Sequence, residues 1–148
     1  MAFEITAHRG VHAELAENTL PAFERAIELG ADAVEFDVRL TRDLIPIVYH
    51  YFYLEESAGL PGTVFDYTWD ELQRAQAAGA QAARGRRIPL FREVLEVIGG
   101  RIGLEVEIKG PEPECVDIIA GVLQDHRHRW DSMELTWTFF TLLSKYGR

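Results

Sequence analysis

The sequence predicts an α/β fold built on a parallel sheet, and three observations carry that prediction. Short apolar runs of strand length alternate along the chain with amphipathic segments of helical period, the pattern of repeated strand-helix units. Two of the runs are charged on one face only. Histidine and arginine residues follow directly on strand ends, where parallel α/β folds bind their ligands.

The elements follow in order. Residues 3–7 are a short apolar segment bounded by His8-Arg9-Gly10, read as a buried strand that ends in a functional loop. Asn18 and Thr19 offer capping side chains for a helix. Pro21 falls in its first turn, Ala22, Phe23, Ala26, Ile27 and Leu29 recur at helical spacing, and Gly30 closes it. Residues 33–39 alternate strictly as a strand, a polar turn spans 41–43, and 45–50 is a further β-rich run. From 51 to 89 the chain makes an excursion, with a Gly/Pro loop, a short helix over 69–78 capped by Thr68, and a basic loop at 84–87. A helix over 90–98 ends at Gly99-Gly100. The pattern then predicts a strand over 104–109, a helix from 112 to about 127, a strand over 133–138 and a helix beginning in 139–146. The count is about five strands, where a closed (β/α)₈ barrel has eight.

Composition narrows the function. The 148 residues, 47% hydrophobic and 26% charged, suit one globular domain with a core. A net charge of -9 argues against a nucleic-acid partner, because no basic surplus exists to neutralise phosphates. A protein this acidic that handled an anion would have to concentrate its cations locally or recruit a metal. The single cysteine, Cys115, allows no intrachain disulfide and reads as a small buried hydrophobe. The first residues lack the apolar core of a secretory signal, and no apolar run approaches the ~20 residues of a membrane span. The expectation is a cytoplasmic protein.

The chemistry lies in the two half-charged strands. Val34, Phe36 and Val38 alternate with Glu35, Asp37 and Arg39, and Leu104, Val106 and Ile108 alternate with Glu105, Glu107 and Lys109. Residues two apart share a face. If helices cover the apolar face, the carboxylates gather on the other side, where they repel one another unless a cation sits among them. Hard oxygen ligands favour Mg²⁺ or Ca²⁺. The competing reading is a half-exposed antiparallel strand with a wet face. For either strand alone the two readings are even, and two such strands within a strand-helix alternation favour a site.

His8 and His50 each close a strand, so they form a candidate acid/base pair, although a single strand-end histidine is more often structural. His12 has no such placement, and His126 and His128 suit the negative end of a helix dipole. Arg84, Arg86 and Arg87 read as a solvated basic loop. Tyr49, Tyr51, Phe52 and Tyr53 could line a substrate or anchor the excursion, and both readings stay open. Trp69 and Trp130 are expected to pack.

The ordered set His8-Arg9-Gly10, Glu17-Asn18-Thr19-Leu20, Ala22-Phe23, Gly30-Ala31-Asp32, Glu35-Phe36-Asp37-Val38 and Thr41-Arg42-Asp43 resembles the glycerophosphodiester phosphodiesterases. The match continues through Pro46 to His50, Ile88-Pro89-Leu90 and Glu107-Ile108-Lys109. The resemblance implies a TIM-barrel hydrolase, here reaching about the fifth strand, with an insertion at 51–85. It implies that Glu35, Asp37 and Glu107 bind a divalent cation, Mg²⁺ or Ca²⁺, and that His8 and His50 are the acid/base pair. Arg9 and Lys109 would contact the phosphate, while Glu17 and Asn18 shape the first loop at the substrate. The implied reaction is attack of a free glycerol hydroxyl on phosphorus, followed by opening of a cyclic phosphate to glycerol 3-phosphate. Tyr51 stands where the family has Asp, and Ala16 where it favours Pro. A half-barrel would expose strand edges, so self-association is expected. Two alternatives are a non-catalytic relative acting as a binding module and a phosphatidylinositol-type phospholipase.

Overall fold

The structure, a computed structural model, describes residues 3–56, 58–78, 86–110, 112–129 and 139–141. Its sheet comprises β1 (Thr6–His8), β2 (Ala33–Leu40), β3 (Pro46–Val48), β4 (Gly103–Ile108) and β5 (Phe139–Thr141). β2 is central because both its edges are paired. β4 runs parallel along one edge, from Ala33 opposite Gly103 to Val38 opposite Ile108. β1 runs parallel along the first half of the other edge, and β3 runs antiparallel along the second half. β5 lies parallel beyond β4.

The antiparallel course of β3 corrects the expectation of an all-parallel sheet. Only residues 41–45 join β2 to β3, whereas a parallel connection needs a crossover of a dozen or more residues. The Thr41 backbone N–H donates to Ile45 O at 3.1 Å, and Ile45 N–H donates to the Thr41 hydroxyl at 3.0 Å. Leu44 takes the left-handed φ of 60° that completes the reversal.

Four helices accompany the sheet among the described residues: α1 (Leu20–Glu28), α2 (Trp69–Ala78), α3 (Phe91–Ile98) and α4 (Cys115–Asp125). α3 buries Phe91, Val94, Leu95 and Ile98, the i, i+3, i+4, i+7 stripe of an amphipathic helix. Glu93 accepts the Leu90 N–H at 2.8 Å at its start, and Gly99 closes it at φ 34°. α1, α3 and α4 cover the apolar face of β2 and β4. Phe36 of β2 packs between Phe23 of α1 and Phe91 of α3, with ring centroids at 5.6 and 5.8 Å. The core continues through Leu104, Val106, Ile108, Cys115 and Ile119, leaving the charged face of both strands on the opposite side.

The excursion after β3 packs a separate apolar cluster of Tyr49, Leu54, Val64, Leu72, Ile88 and Leu90, with Trp69 against its edge. α2 begins at a reciprocal cap in which Glu71 accepts the Thr68 N–H at 2.8 Å and donates its own N–H to the Thr68 hydroxyl at 3.3 Å. Other expectations shift at their edges. Phe3 and Ile5 are exposed, and the first strand begins at Thr6. A strand occupies Phe139–Thr141, where a helix was expected to begin; paired with Val106–Ile108, these residues take the strand conformation. The strand expected at 133–138, Trp130 and Arg84 lie outside the described residues. Among those described, no helix is long and apolar enough to cross a membrane.

Candidate active site

Register builds the acidic centre. Asp37 lies directly opposite Glu107 across β2 and β4, and Glu35 stands two residues earlier on the same face. Glu35, Asp37 and Glu107 each bring a carboxylate oxygen within 4.8 Å of the others, while Glu105 lies outside the group. Asp37 is fully buried and Glu35 nearly so. Burial first, and then the negative charge of Asp37, push the Glu35 carboxyl up to about 7 in the metal-free site, against the relief of a hydrogen bond from the Arg9 backbone.

Two cations bracket this centre. Lys109 Nζ donates to Glu107 Oε1 at 2.6 Å and lies 3.3 Å from Asp37 Oδ1. Arg9 Nε lies 3.3 Å from Asp37 Oδ2, and Arg9 Nη1 donates to Glu17 Oε2 at 3.1 Å. The loop after β1 holds this arginine by its backbone. Arg9 N–H donates to Glu35 O at 2.9 Å and to Glu35 Oε2 at 3.2 Å, with φ at 57°. Gly10 follows at φ 78°, and a Cβ there would sit 2.8 Å from the Ala22 carbonyl carbon.

Asn18 and Thr19 depart from the capping role expected of them. Asn18 Nδ2 donates to Asp37 Oδ2 at 2.8 Å, and the Thr19 hydroxyl donates to Ala16 O at 2.6 Å. Neither caps α1; the amide that could cap a helix is used to hold a buried carboxylate.

The donor set fits a hard divalent cation. Three carboxylates face two cations, and buried Asp37 Oδ1 accepts no hydrogen bond among the described residues despite the nearby ammonium. An unfilled carboxylate oxygen in such a place suits Mg²⁺ or Ca²⁺.

Both histidines border the centre. The exposed His8 ring puts Nε2 3.8 Å from Glu35 Oε2. His50 packs edge-to-face on Tyr51 at 4.9 Å, and its Nδ1 is buried without a hydrogen-bond partner among the described residues. Burial lowers its proton affinity, and the charges of Arg9 and Lys109 add to this against the pull of Asp37. His50 comes here by a route the strand-end argument did not foresee. Because β3 runs back along β2, Tyr49 N–H reaches Asp37 O at 2.9 Å, and the next residue falls beside the carboxylates.

Sequence reasoning placed Arg39 on the charged face and assigned it no task. Its guanidinium donates to His50 O at 2.8 and 3.2 Å and to Lys109 O at 3.1 Å, tying the end of β3 to the end of β4. The signal was present: Glu35, Asp37 and Arg39 recur at period two, so Arg39 had to share the carboxylates' side. Two arginines of the basic loop also gain a place. Arg86 and Arg87 line a cleft of about 250 Å³ together with Glu17, Asn18 and Tyr51. In the aromatic run, Tyr49 is buried in the second cluster, Tyr51 lines the cleft, and Phe52 and Tyr53 are exposed.

The family model of the glycerophosphoryl diester phosphodiesterases matches residues 8–134, a span that includes every residue of this centre. The chain belongs to that family. It is 39% identical over 108 residues to a glycerophosphodiester phosphodiesterase of Bacillus altitudinis, a match covering 72% of this chain and 44% of that protein. A glycerophosphodiester phosphodiesterase of Caldanaerobacter subterraneus is 41% identical over 109 residues, covering 71% and 44%. The crystal structure of the Thermotoga maritima glycerophosphodiester phosphodiesterase superposes with a TM-score of 0.74 at 28% identity, covering all of this chain and 66% of that one. An Oleispira antarctica phosphodiesterase, solved with its product sn-glycerol-3-phosphate, gives 0.77 at 29% identity, covering 93% and 56%. This family member thus spans less than half the length of these curated relatives. Its structural neighbours are TIM-barrel phosphodiesterases, and among the described residues its own α/β sheet is open.

Proposed function

We propose that this chain carries a centre for metal-dependent hydrolysis of glycerophosphodiesters to glycerol 3-phosphate and an alcohol. The observation that supports the reading best is the convergence of Glu35, Asp37 and Glu107 between Arg9 and Lys109, with a histidine on either flank. The three carboxylates would hold Mg²⁺ or Ca²⁺, which supplies charge stabilisation to a phosphoryl group when bound. Arg9 and Lys109 offset charge on the phosphoryl oxygens. A free glycerol hydroxyl attacks phosphorus, and one histidine takes its proton while the other protonates the departing alcohol. Burial lowers the proton affinity of His50, which favours the form that accepts a proton. Water then opens the cyclic phosphate with the same two groups. Glu17 and Asn18 act by holding Arg9 and Asp37 in place.

Calorimetric titration of Mg²⁺ and Ca²⁺ tests the metal centre: saturable binding is expected in the wild-type chain and none in Glu35→Gln. Release of glycerol 3-phosphate is expected from the Mg²⁺-loaded chain, with a loss of at least about 100-fold in His8→Ala. Equal release by both proteins would sink the histidine assignment. A second reading, a non-catalytic relative that binds metal and phosphodiester, is favoured by Tyr51 in place of an acidic residue. Metal binding without release by the wild type would select it.

A further inference from the structure

We propose that the cleft beside His50 is the subsite for the departing alcohol and that it selects alcohols carrying negative charge. This rests on the phosphodiesterase reading above. The cleft adjoins the centre through three of its lining residues: Glu17 holds Arg9, Asn18 holds Asp37, and the Tyr51 ring rests on His50. A diester whose phosphate lies at Arg9 therefore has this hollow as a neighbour for its second arm. At about 250 Å³ the hollow suits a polar headgroup rather than a diacyl lipid.

Its charge runs against the rest of the molecule. The chain carries -9 overall, yet among the described residues Arg86 and Arg87 line this cleft against one carboxylate, Glu17. Glu17 is already paired to Arg9 at 3.1 Å, while Arg87 is paired to Glu93 at 2.8 Å. Arg9 is held by Asp37 as well, at 3.3 Å, so the uncompensated charge is that of Arg86, which forms no ion pair among the described residues. Tyr51 contributes no carboxylate at the His50 end. Val48 and Ile88 supply buried apolar lining, which weakens solvent screening of whatever charge enters. A quaternary ammonium would face the unpaired Arg86 guanidinium, with Glu17 already held by Arg9. A phosphorylated polyol would meet two donors of fork geometry.

The test compares sn-glycero-3-phosphocholine with glycerophosphoinositol 4-phosphate as substrates of the full chain with Mg²⁺. The expected kcat/KM favours the anionic alcohol by about tenfold at low salt, falls towards parity in Arg86→Ala, and shrinks as ionic strength rises. Arg86 is exposed, so its replacement leaves the core untouched. Equal use of both diesters by the wild type, or an unchanged ratio in Arg86→Ala, overturns the proposal and leaves the phosphodiesterase reading standing. If neither diester is cut, calorimetric binding of inositol monophosphate against choline decides. A preference for the phosphate then retains the cleft and removes only the catalytic reading, and no preference overturns the cleft.

Discussion

Glu35 carries opposite consequences for stability and for binding. In the metal-free protein its carboxyl titrates at about 7, above the ordinary 4.5, because burial and Asp37 disfavour its charge. The folded state therefore holds a proton that the unfolded chain has released. The stabilisation is complete below about 4.5 and is lost as pH rises through about 7. At pH 8 the metal-free Glu35→Gln protein should be more stable than wild type, by at most about 3 kcal/mol, while losing the stabilisation that Mg²⁺ adds. Thermal melts at pH 5 and pH 8, with and without Mg²⁺, check both signs. Arg39 acts through others, since it touches the backbone of His50 and Lys109 and no carboxylate of the triad by hydrogen bond. Lysine offers one nitrogen where arginine spans the two carbonyls from three, so Arg39→Lys loosens at least one of these bonds at a cost of about 1–3 kcal/mol. The expected variant is folded, binds Mg²⁺ normally and releases product more slowly; a parallel fall in Mg²⁺ affinity would mark Arg39 as a general structural support.

At the scale of elements, the site depends on two abrupt turns. The loop after β1 passes so close to α1 that Gly10 has no room for a Cβ, and its φ of 78° is one that L side chains rarely adopt. Gly10→Ala should destabilise the protein by about 2 kcal/mol and weaken metal binding, because Arg9, one residue before it, is held to Glu35 through the same loop. A urea melt paired with the Mg²⁺ titration measures both effects. The hairpin between β2 and β3 matters equally. Strand period alone told which side Glu35, Asp37 and Arg39 share, since alternation is a local property. It said nothing of strand direction, and the short turn at 41–45 was the available sign that β3 must reverse. Asn18 shows the opposite failure. Local propensity marks it as a helix cap, but a buried carboxylate 19 residues away takes its amide, and satisfying a buried charge outweighs capping one helix N–H.

For the molecule as a whole, the open sheet is the consequential feature. Among the described residues β1 pairs only with β2, so its outer edge offers unpaired backbone groups. We propose that copies of the chain associate through such edges. Sedimentation velocity over a hundredfold concentration range should show an average mass that rises with concentration, and a constant monomer mass would count against it.

By itself the sequence determined the family, the α/β class and which carboxylates share one face of the sheet. These follow from local periodicity and from an ordered motif, both written along the chain. Only tertiary structure decided that His50 arrives on a reversed strand, that Arg39 joins residues 11 and 70 positions away, and that Arg86 and Arg87 meet the loop of Glu17 across a cleft. Those relations are set by which strand pairs with which. Pairing depends on register and burial summed over distant segments, which no single stretch of sequence contains.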